Sequence, residues 1–315
     1  MIDRKLSVDL LKIVMALFVI GIHVNPAAAL GPEMSILLGG GLFRVAVPAF
    51  FVINGYFFEP VMQAGGTRRF VTRIGALFVV WTALYLPAWY GVIFNPEPWA
   101  LISYLVMGWW QLWYLPGLAL AALLAAWMRD WPVSRVVPLM GFLFLTGVGI
   151  TYAMAYDLLH PPKSYFTDRA VLHRNGLFTG FPFLMAGVLI RRHDLDRRFS
   201  VKALAGASAV ALLMVMAESF SLVALAPKGV GHDNMLTLAL ASPALVLLAL
   251  KFPYQSSGRI LGTYANGLFL IHVAFVVIGL RHTDLSKFGI YSMAVAGSLA
   301  VTWVLIRVGL ARRVL

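Results

Sequence analysis

Long apolar stretches, separated by short polar segments, recur along the whole chain. A transmembrane helix needs about 20 mostly apolar residues, and ten stretches come close to that length. The segment 98–108 is shorter, aromatic and uncharged, which is typical of an interfacial helix. The pattern therefore predicts ten transmembrane helices, near residues 8–26, 39–58, 70–94, 111–128, 134–153, 174–190, 202–225, 235–250, 260–280 and 289–309.

The composition supports this interpretation. The chain has 315 residues, of which 61% are hydrophobic and 12% are charged. Water-soluble domains have about 45–50% apolar and about 25% charged residues, so this composition excludes a soluble surface. We expect an all-α polytopic membrane protein in which one integral-membrane domain covers residues 1–315.

The charge indicates how the chain is oriented. A net charge of +12 suggests nucleic-acid binding in a soluble protein, but in a membrane protein basic loops set the topology. With the N-terminus in the cytoplasm, most of the 25 Lys and Arg residues fall on the inner side. We therefore predict that both termini are cytoplasmic and that nucleic acid is not a partner. Arg4, Lys5 and the "PAAA" string at 26–29 also resemble a cleaved signal peptide, but Asp3 and Asp9 argue against cleavage.

The residues that the sequence lacks exclude several kinds of chemistry. There is no cysteine, so disulfides, thiolate nucleophiles and zinc–thiolate sites are ruled out. No GxxxxGKS/T, GxGxxG or HExxH string occurs, so the usual nucleotide and zinc motifs are missing as well. We predict no metal site and no tightly bound cofactor.

The first predicted helix carries two ionisable residues within its apolar stretch. Lys12 and His23 are eleven positions apart, about three helical turns, so they share one face and differ in depth by roughly 16 Å. Asp9 lies one turn before Lys12 and can offset its charge. Lys12 can also simply extend to the headgroups, and His23 can be a neutral imidazole bonded to a neighbouring helix. An ionisable group inside the membrane is nevertheless a candidate for function.

The predicted topology brings further polar and aromatic residues to the outer half of the membrane. Trp113 and Tyr114 also fit an aromatic belt, and Arg174 also fits an ordinary interfacial charge. Glu218 is harder to explain in this way, because a buried carboxylate needs a partner or a proton. The outer group consists of Arg44, Gln111, Trp113, Tyr114, Arg174, Asn175 and Glu218, with His272 at mid-depth.

Arg68, Arg69 and Arg73 border the inner start of the third predicted helix. Arginines in this position commonly do no more than set the topology. Their alternative role is an anion site for a ligand that carries phosphate groups. The sequence thus suggests an anion site inside, a base toward the outside and a route between them.

Five motifs, in order along the chain, resemble the membrane-bound acyltransferase family 3, which contains bacterial O-acyltransferases of cell-surface sugars. Lys12 and His23 match its basic-x10-His signature, and "RVAVPAFFVINGYFF" at 44–58 matches its R-x-x-VP-x-FF-x-x-SGY block. The resemblance covers nearly the whole chain and points to the branch of enterobacterial common antigen acetyltransferases and membrane domains of vancomycin-resistance serine racemases. The remaining motifs are "LWYL" at 112–115, "RNGLFTGFPF" at 174–183 and "LFLIH" at 268–272.

Three departures from the family pattern affect what the resemblance implies. Arg69 and Arg73 stand for an RxxR pair but are spaced one residue further apart. Gln111 occupies a position that is often histidine in this branch, so no proton transfer is inferred there. Asn54 replaces the usual serine of the second motif.

The resemblance implies transfer of an acyl group from acetyl-CoA, or another acyl-CoA, to a hydroxyl of a cell-surface or lipid-linked glycan in the bacterial cytoplasmic (inner) membrane. His23 is then the general base, because neutral imidazole near pH 7 can take the proton of a sugar hydroxyl. Glu218 is a second catalytic candidate, and Lys12, Arg69 and Arg73 are expected to bind the phosphates of the donor. The predicted acceptor site contains Arg44, Trp113, Tyr114, Arg174, Asn175 and His272.

The alternative is a transporter or exporter of a small anion or a lipid-linked sugar. Basic clusters and polar residues at mid-depth fit that function too. The absence of a visible internal repeat weighs mildly against it. No nucleophile motif argues for a covalent acyl-enzyme, so we favour direct transfer to the acceptor.

Overall fold

The protein is a bundle of helices in the computed structural model, which describes residues 5–89, 98–160, 169–225, 233–252, 254 and 258–315. Within these residues no β-strand is present, and the all-α prediction is confirmed. Ten helices in the described part are 12 residues or longer. In chain order they are α1 Leu6–Val24, α2 Ala46–Gln63, α3 Thr67–Leu84, α4 Tyr114–Trp127, α5 Val133–Ala155, α6 Phe181–Arg192, α7 Val201–Leu225, α8 Leu238–Leu250, α9 Ile260–His282 and α10 Lys287–Arg307.

Each of these helices overlaps one of the ten predicted segments. By length and composition, 7 helical spans are able to cross a membrane, and one of them runs without a break from Pro32 to Gln63. The other three fall short for physical reasons: α3 begins with a cluster of arginines, while α6 and α8 have only 12 and 13 residues. The protein is therefore multi-pass, and the number ten and the side of the termini remain predictions.

Helix α1 packs mainly against α9 and α2. Residues three and four positions apart share a helix face, and the buried face of α1 includes Met15, Ala16, Val19 and Ile20. Lys12 and His23 lie at opposite ends of this face. We use their names for the two ends of the bundle, the Lys12 end and the His23 end.

Two glycines allow α2 and α6 to approach closely. A Cβ atom added at Gly55 would lie 1.8 Å from the carbonyl oxygen of Leu184, and one added at Gly187 would lie 2.0 Å from that of Val52. Membrane helices lack a hydrophobic force between them, so small residues permit the dispersion contacts that hold them together. This contact fixes the position of α2, which carries several residues of the site.

Candidate active site

A cavity lies at the His23 end of the bundle. Its empty volume, counted together with the open solvent at its mouth, is about 480 Å³. Apolar side chains from α1, α2 and α9 form part of its wall. Its polar lining consists of His23, Arg44, Gln111, Tyr114, Arg174, Thr179 and Asp233.

His23 lies in the last turn of α1. The helix ends directly after it, because Asn25 adopts a left-handed conformation and Pro26 cannot continue the helical hydrogen bonding. The centroid of the His23 ring lies 5.2 Å from that of the Trp110 ring and 5.3 Å from that of the His272 ring. His23 is therefore placed at a helix end, with one edge toward the cavity and aromatic neighbours behind it.

Arg44 reaches the cavity from an irregular turn. The predicted helix 39–58 begins in the structure with a π-helical turn at Ser35–Gly41 and a 3-10 turn at Leu42–Val45, and α2 starts only afterwards. Such interruptions often occur at functional sites. The Nε of Arg44 donates a hydrogen bond to the carbonyl oxygen of Gly39 at 3.3 Å, and its Nη1 donates to Asp233.

Asp233 is shared by two arginines. Its Oδ2 lies 3.4 Å from Arg174 Nη1, and the guanidinium of Arg174 lies 5.4 Å from the centroid of the Trp113 ring. Burial alone would raise the pKa of Asp233, but Arg44 and Arg174 outweigh it and hold the pKa below its ordinary value. Asp233 is therefore a carboxylate that fixes two guanidinium groups at the cavity wall.

Tyr114 is oriented to donate a hydrogen bond. The amide of Asn54 donates to its hydroxyl oxygen at 2.8 Å, so the hydroxyl hydrogen remains for another acceptor. The ring packs against Phe51 and Phe269, at centroid distances of 4.6 and 5.2 Å. Asn54, the residue that departs from the family pattern, thus takes part in positioning Tyr114.

Asn175 does not line the cavity, although it lies beside Arg174. Its Oδ1 accepts hydrogen bonds from the backbone N–H groups of Leu177 and Phe178, both at 2.9 Å, and its Nδ2 donates to the carbonyl oxygen of Val171 at 3.0 Å. The side chain is occupied in forming the turn before α6. This geometry does not support the predicted contact with the acceptor.

Glu218 also lies outside the cavity lining. Its carboxylate accepts hydrogen bonds from the hydroxyl of Tyr152 and from the backbone N–H groups of Leu236 and Thr237, the last two at 2.6 and 2.8 Å. These N–H groups precede α8, so Glu218 supplies the capping acceptor that a helix start requires. The carboxylate that the sequence suggested for catalysis has a structural role here, and we leave it out of the proposed site.

His272 stands behind His23 rather than in the cavity wall. Its side chain is fully buried at 0% exposure, and it is absent from the cavity lining. The predicted direct contact with the acceptor is therefore not supported. The centroid of its ring lies 5.3 Å from that of the His23 ring.

The three residues predicted to bind the donor lie away from the cavity. Lys12 Nζ lies 3.7 Å from Asp9 Oδ1 and 5.3 Å from the centroid of the Phe57 ring. Arg69 and Arg73 are exposed on α3.

The cavity reaches along α1 as far as Val19 but not to Lys12. Between these two residues Met15 and Ala16 are buried, at 2% and 0% exposure. The route expected between the anion site and the base is therefore closed at this level in the structure.

Sequence reasoning missed Asp233 and Trp110. Arg44 and Arg174 were both expected at the outer level of the membrane. Two arginines there require a carboxylate, and this requirement points to the acidic residue of the short "GHDNM" segment before α8. Trp110 carries no such signal, because its contact with His23 depends on a positive φ of 50°. Among the described residues no group of three or more His, Cys, Asp or Glu side chains is arranged to bind a metal.

Comparison with known proteins gives the family. The family model of the acyltransferase 3 domain matches residues 5–307. The chain is 28% identical over 289 residues to a serine/alanine racemase of Enterococcus gallinarum, covering 85% of this chain and 40% of that protein. It is 24% identical over 301 residues to an amino-acid racemase of Enterococcus faecalis, covering 87% and 41%.

The chain thus spans about 40% of the length of these curated relatives, so their names describe longer proteins. No solved structure matches the chain. The family match extends over nearly the whole sequence and includes the segments that carry His23, Arg44, Tyr114 and Arg174. The chain therefore belongs to the acyltransferase 3 family.

Proposed function

We propose that the protein transfers an acyl group, acetyl by default, from acyl-CoA to a hydroxyl of a cell-surface or lipid-linked glycan in the bacterial inner membrane. The observation that carries the proposal is the position of His23. It is the histidine of the family's first motif, and it lines the same cavity as Arg44 and Arg174. A cavity with a base and cationic donors fits a reaction in which a hydroxyl attacks a thioester.

In the proposed reaction a nitrogen of neutral His23 takes the proton of the acceptor hydroxyl while the hydroxyl oxygen attacks the thioester carbon. A positioned base contributes about 10²–10⁴ to the rate of such a step. The tetrahedral intermediate then expels the CoA thiolate, which takes the proton from the His23 imidazolium. The base ends neutral and ready for the next turnover.

The carbonyl oxygen becomes negative in the intermediate and requires hydrogen-bond donors. Tyr114 lines the cavity and has a free hydroxyl hydrogen, because Asn54 donates to its oxygen. We assign Tyr114 to this role and assign Arg44, Arg174 and Trp113 to the acceptor. Removal of one oxyanion donor costs about 10²–10³ in rate in well-studied enzymes.

The donor is proposed to enter from the Lys12 end, which we place in the cytoplasm. Its phosphate groups would be bound by Lys12, Arg69 and Arg73, since cationic side chains favour phosphate. Because Met15 and Ala16 are packed between Lys12 and the cavity, the thioester arm needs an opening beside α1. Rearrangement on substrate binding is a common step of this kind.

The test is acyl transfer by the purified protein without an ion gradient. Release of CoA thiol can be followed with a thiol reagent, because the chain contains no cysteine and adds no background. Acetyl-CoA is supplied with and without a lipid extract that contains polyprenyl-linked sugars. We expect His23→Ala to abolish acceptor-dependent thiol release and the exposed control His282→Ala to preserve it.

Full activity of His23→Ala would remove the proposed mechanism. The transporter alternative makes a different forecast for the same preparation. A transporter gives no thiol release with any acceptor and instead moves its substrate across proteoliposomes when a gradient is applied.

A further inference from the structure

Trp110 has a backbone conformation that is rare for a large side chain. Its φ is +50°, in the left-handed region that bulky residues adopt only when the surrounding structure imposes it. Residues held in this way cluster at functional sites. The conformation places the indole against His23, with ring centroids 5.2 Å apart and planes inclined by 25°.

His272 has a buried nitrogen that remains available. Its Nδ1 lies 2.9 Å from the carbonyl oxygen of Leu268, one turn earlier in α9, so Nδ1 carries the hydrogen and Nε2 is left with a lone pair. The side chain is fully buried, and Nε2 has no hydrogen-bond partner among the described residues. A buried polar atom without a hydrogen-bond partner is energetically unfavourable.

The ring of His23 lies beside the ring of His272. The two imidazole centroids are 5.3 Å apart, close to the roughly 5 Å separation of two imidazoles joined edge to edge by a hydrogen bond of ordinary length. At this separation, a rotation of the His23 ring can direct its N–H toward the lone pair of His272. Trp110, stacked on the His23 ring, limits the rotations that are available.

We propose that His272 and Trp110 are positioning residues for His23. His272 Nε2 accepts the N–H of His23 and so selects the tautomer whose other nitrogen is unprotonated and faces the acceptor, while the indole of Trp110 sets the plane of the ring. This inference rests on the proposed function, because it assumes that His23 is the base.

The arrangement suits a base that must release its proton again. When His23 takes a proton from the acceptor hydroxyl, the imidazolium N–H remains bonded to a neutral acceptor, His272. A carboxylate in that place would hold the imidazolium more strongly and would add a buried charge. A neutral partner fixes the tautomer and leaves the proton free to pass to the departing thiolate.

The first experiment compares two substitutions at position 272 that differ in one property. His272→Gln keeps a hydrogen-bond acceptor at this position. His272→Leu is similar in size but has no acceptor. We expect His272→Leu to lower kcat by about tenfold to a hundredfold, less than loss of the base itself, with KM for acetyl-CoA unchanged. His272→Gln should recover most of the loss. Equal activity of both variants, whether high or low, would overturn the role of the acceptor.

The second experiment separates positioning from stability at Trp110. Glycine adopts φ of +50° without strain, so Trp110→Gly relieves the backbone while it removes the stacked ring. We expect kcat to fall at least tenfold, and Trp110→Phe to lose less than Trp110→Gly. The matched control is Asp194→Gly, an exposed residue outside the cavity with φ of +49°, which should keep wild-type kcat. Unchanged kcat in Trp110→Gly contradicts the proposal.

A readout independent of catalysis covers variants that fold poorly or lack activity. Diethyl pyrocarbonate modifies neutral imidazoles, and peptide-level mass spectrometry, after digestion of the modified full-length chain, gives the rate at His23. We expect this rate to rise several-fold in His272→Leu and Trp110→Gly, because the ring is released, and to stay constant in Asp194→Gly. An active His23→Ala variant would refute the proposed function. If His23→Ala is inactive but the reactivity of His23 is unchanged in His272→Leu and Trp110→Gly, only the positioning role is refuted.

Discussion

Arg44 and Asp233 form an ion pair across 189 positions of the sequence. The same carboxylate accepts Arg174, at 3.4 Å. It thereby joins the turn before α2, the turn before α6 and the segment before α8 at one wall of the cavity. The geometry of the proposed acceptor site depends on this one acidic side chain.

Substitution of Asp233 by Asn should therefore impair both stability and transfer. The Asp233 side chain is only 12% exposed, and breaking a buried ion pair by removing one partner costs about 3–5 kcal/mol. Two neighbouring guanidinium groups would also repel each other. Thermal unfolding in detergent and acceptor-dependent thiol release measure the two effects. Asp130→Asn, which removes an ion pair at a position 82% exposed, should show neither.

Removal of the Glu218 carboxylate should affect stability but not the chemical step. Glu218 accepts the N–H groups before α8, and loss of such a cap costs about 1–2 kcal/mol. In Glu218→Ala we expect a lower unfolding temperature and an unchanged kcat per folded molecule. The exposed Glu33→Ala serves as the control. A loss of kcat without a loss of stability would restore the catalytic role suggested by the sequence.

Arg69 and Arg73 are expected to bind the phosphates of the donor. Both side chains are exposed, so their attraction for an anion is screened by salt. In the double variant Arg69→Ala and Arg73→Ala, the Kd for CoA should rise at least tenfold, and its salt dependence should weaken. Titration of CoA at two salt concentrations gives both values. Arg198→Ala controls for the general loss of positive charge. If the double variant binds CoA as tightly as the wild type does, these arginines only set the topology.

The predicted topology can be tested by cysteine labelling, because the natural chain has no cysteine. Arg198→Cys lies between α6 and α7 and Asp284→Cys between α9 and α10, and both positions are exposed. With cytoplasmic termini and ten spans, a membrane-impermeant maleimide added to intact cells should label Asp284→Cys alone. Arg198→Cys should react only after permeabilisation. The opposite pattern would invert the orientation.

From the sequence, helix periodicity and the depth of each residue in the membrane can be predicted. The predicted depth was enough to group His23, Arg44, Tyr114 and Arg174, and these residues do line one cavity. Depth does not indicate which local groups a side chain bonds to. Asn175 was therefore expected to contact the acceptor, although its side chain bonds to the backbone of its own turn.

Helix periodicity and depth do not identify Trp110 and Asp233, for a different reason. The indole is directed by one unusual backbone angle, and the carboxylate lies in a short polar segment outside every predicted helix. Its importance comes from partners that are distant in sequence. Neither property has a periodic signature from which it can be read.

The buried Met15 and Ala16, between Lys12 and the cavity, have a consequence for the cell as well as for the donor. A continuous file of water from Lys12 to His23 would let protons cross, since both ends carry ionisable groups. The apolar layer that contains Met15 and Ala16 interrupts that file. Under the proposed function, acyl groups would pass through a membrane that stores energy as an ion gradient, and the gradient would be exposed to leakage only while a donor arm occupies the gap.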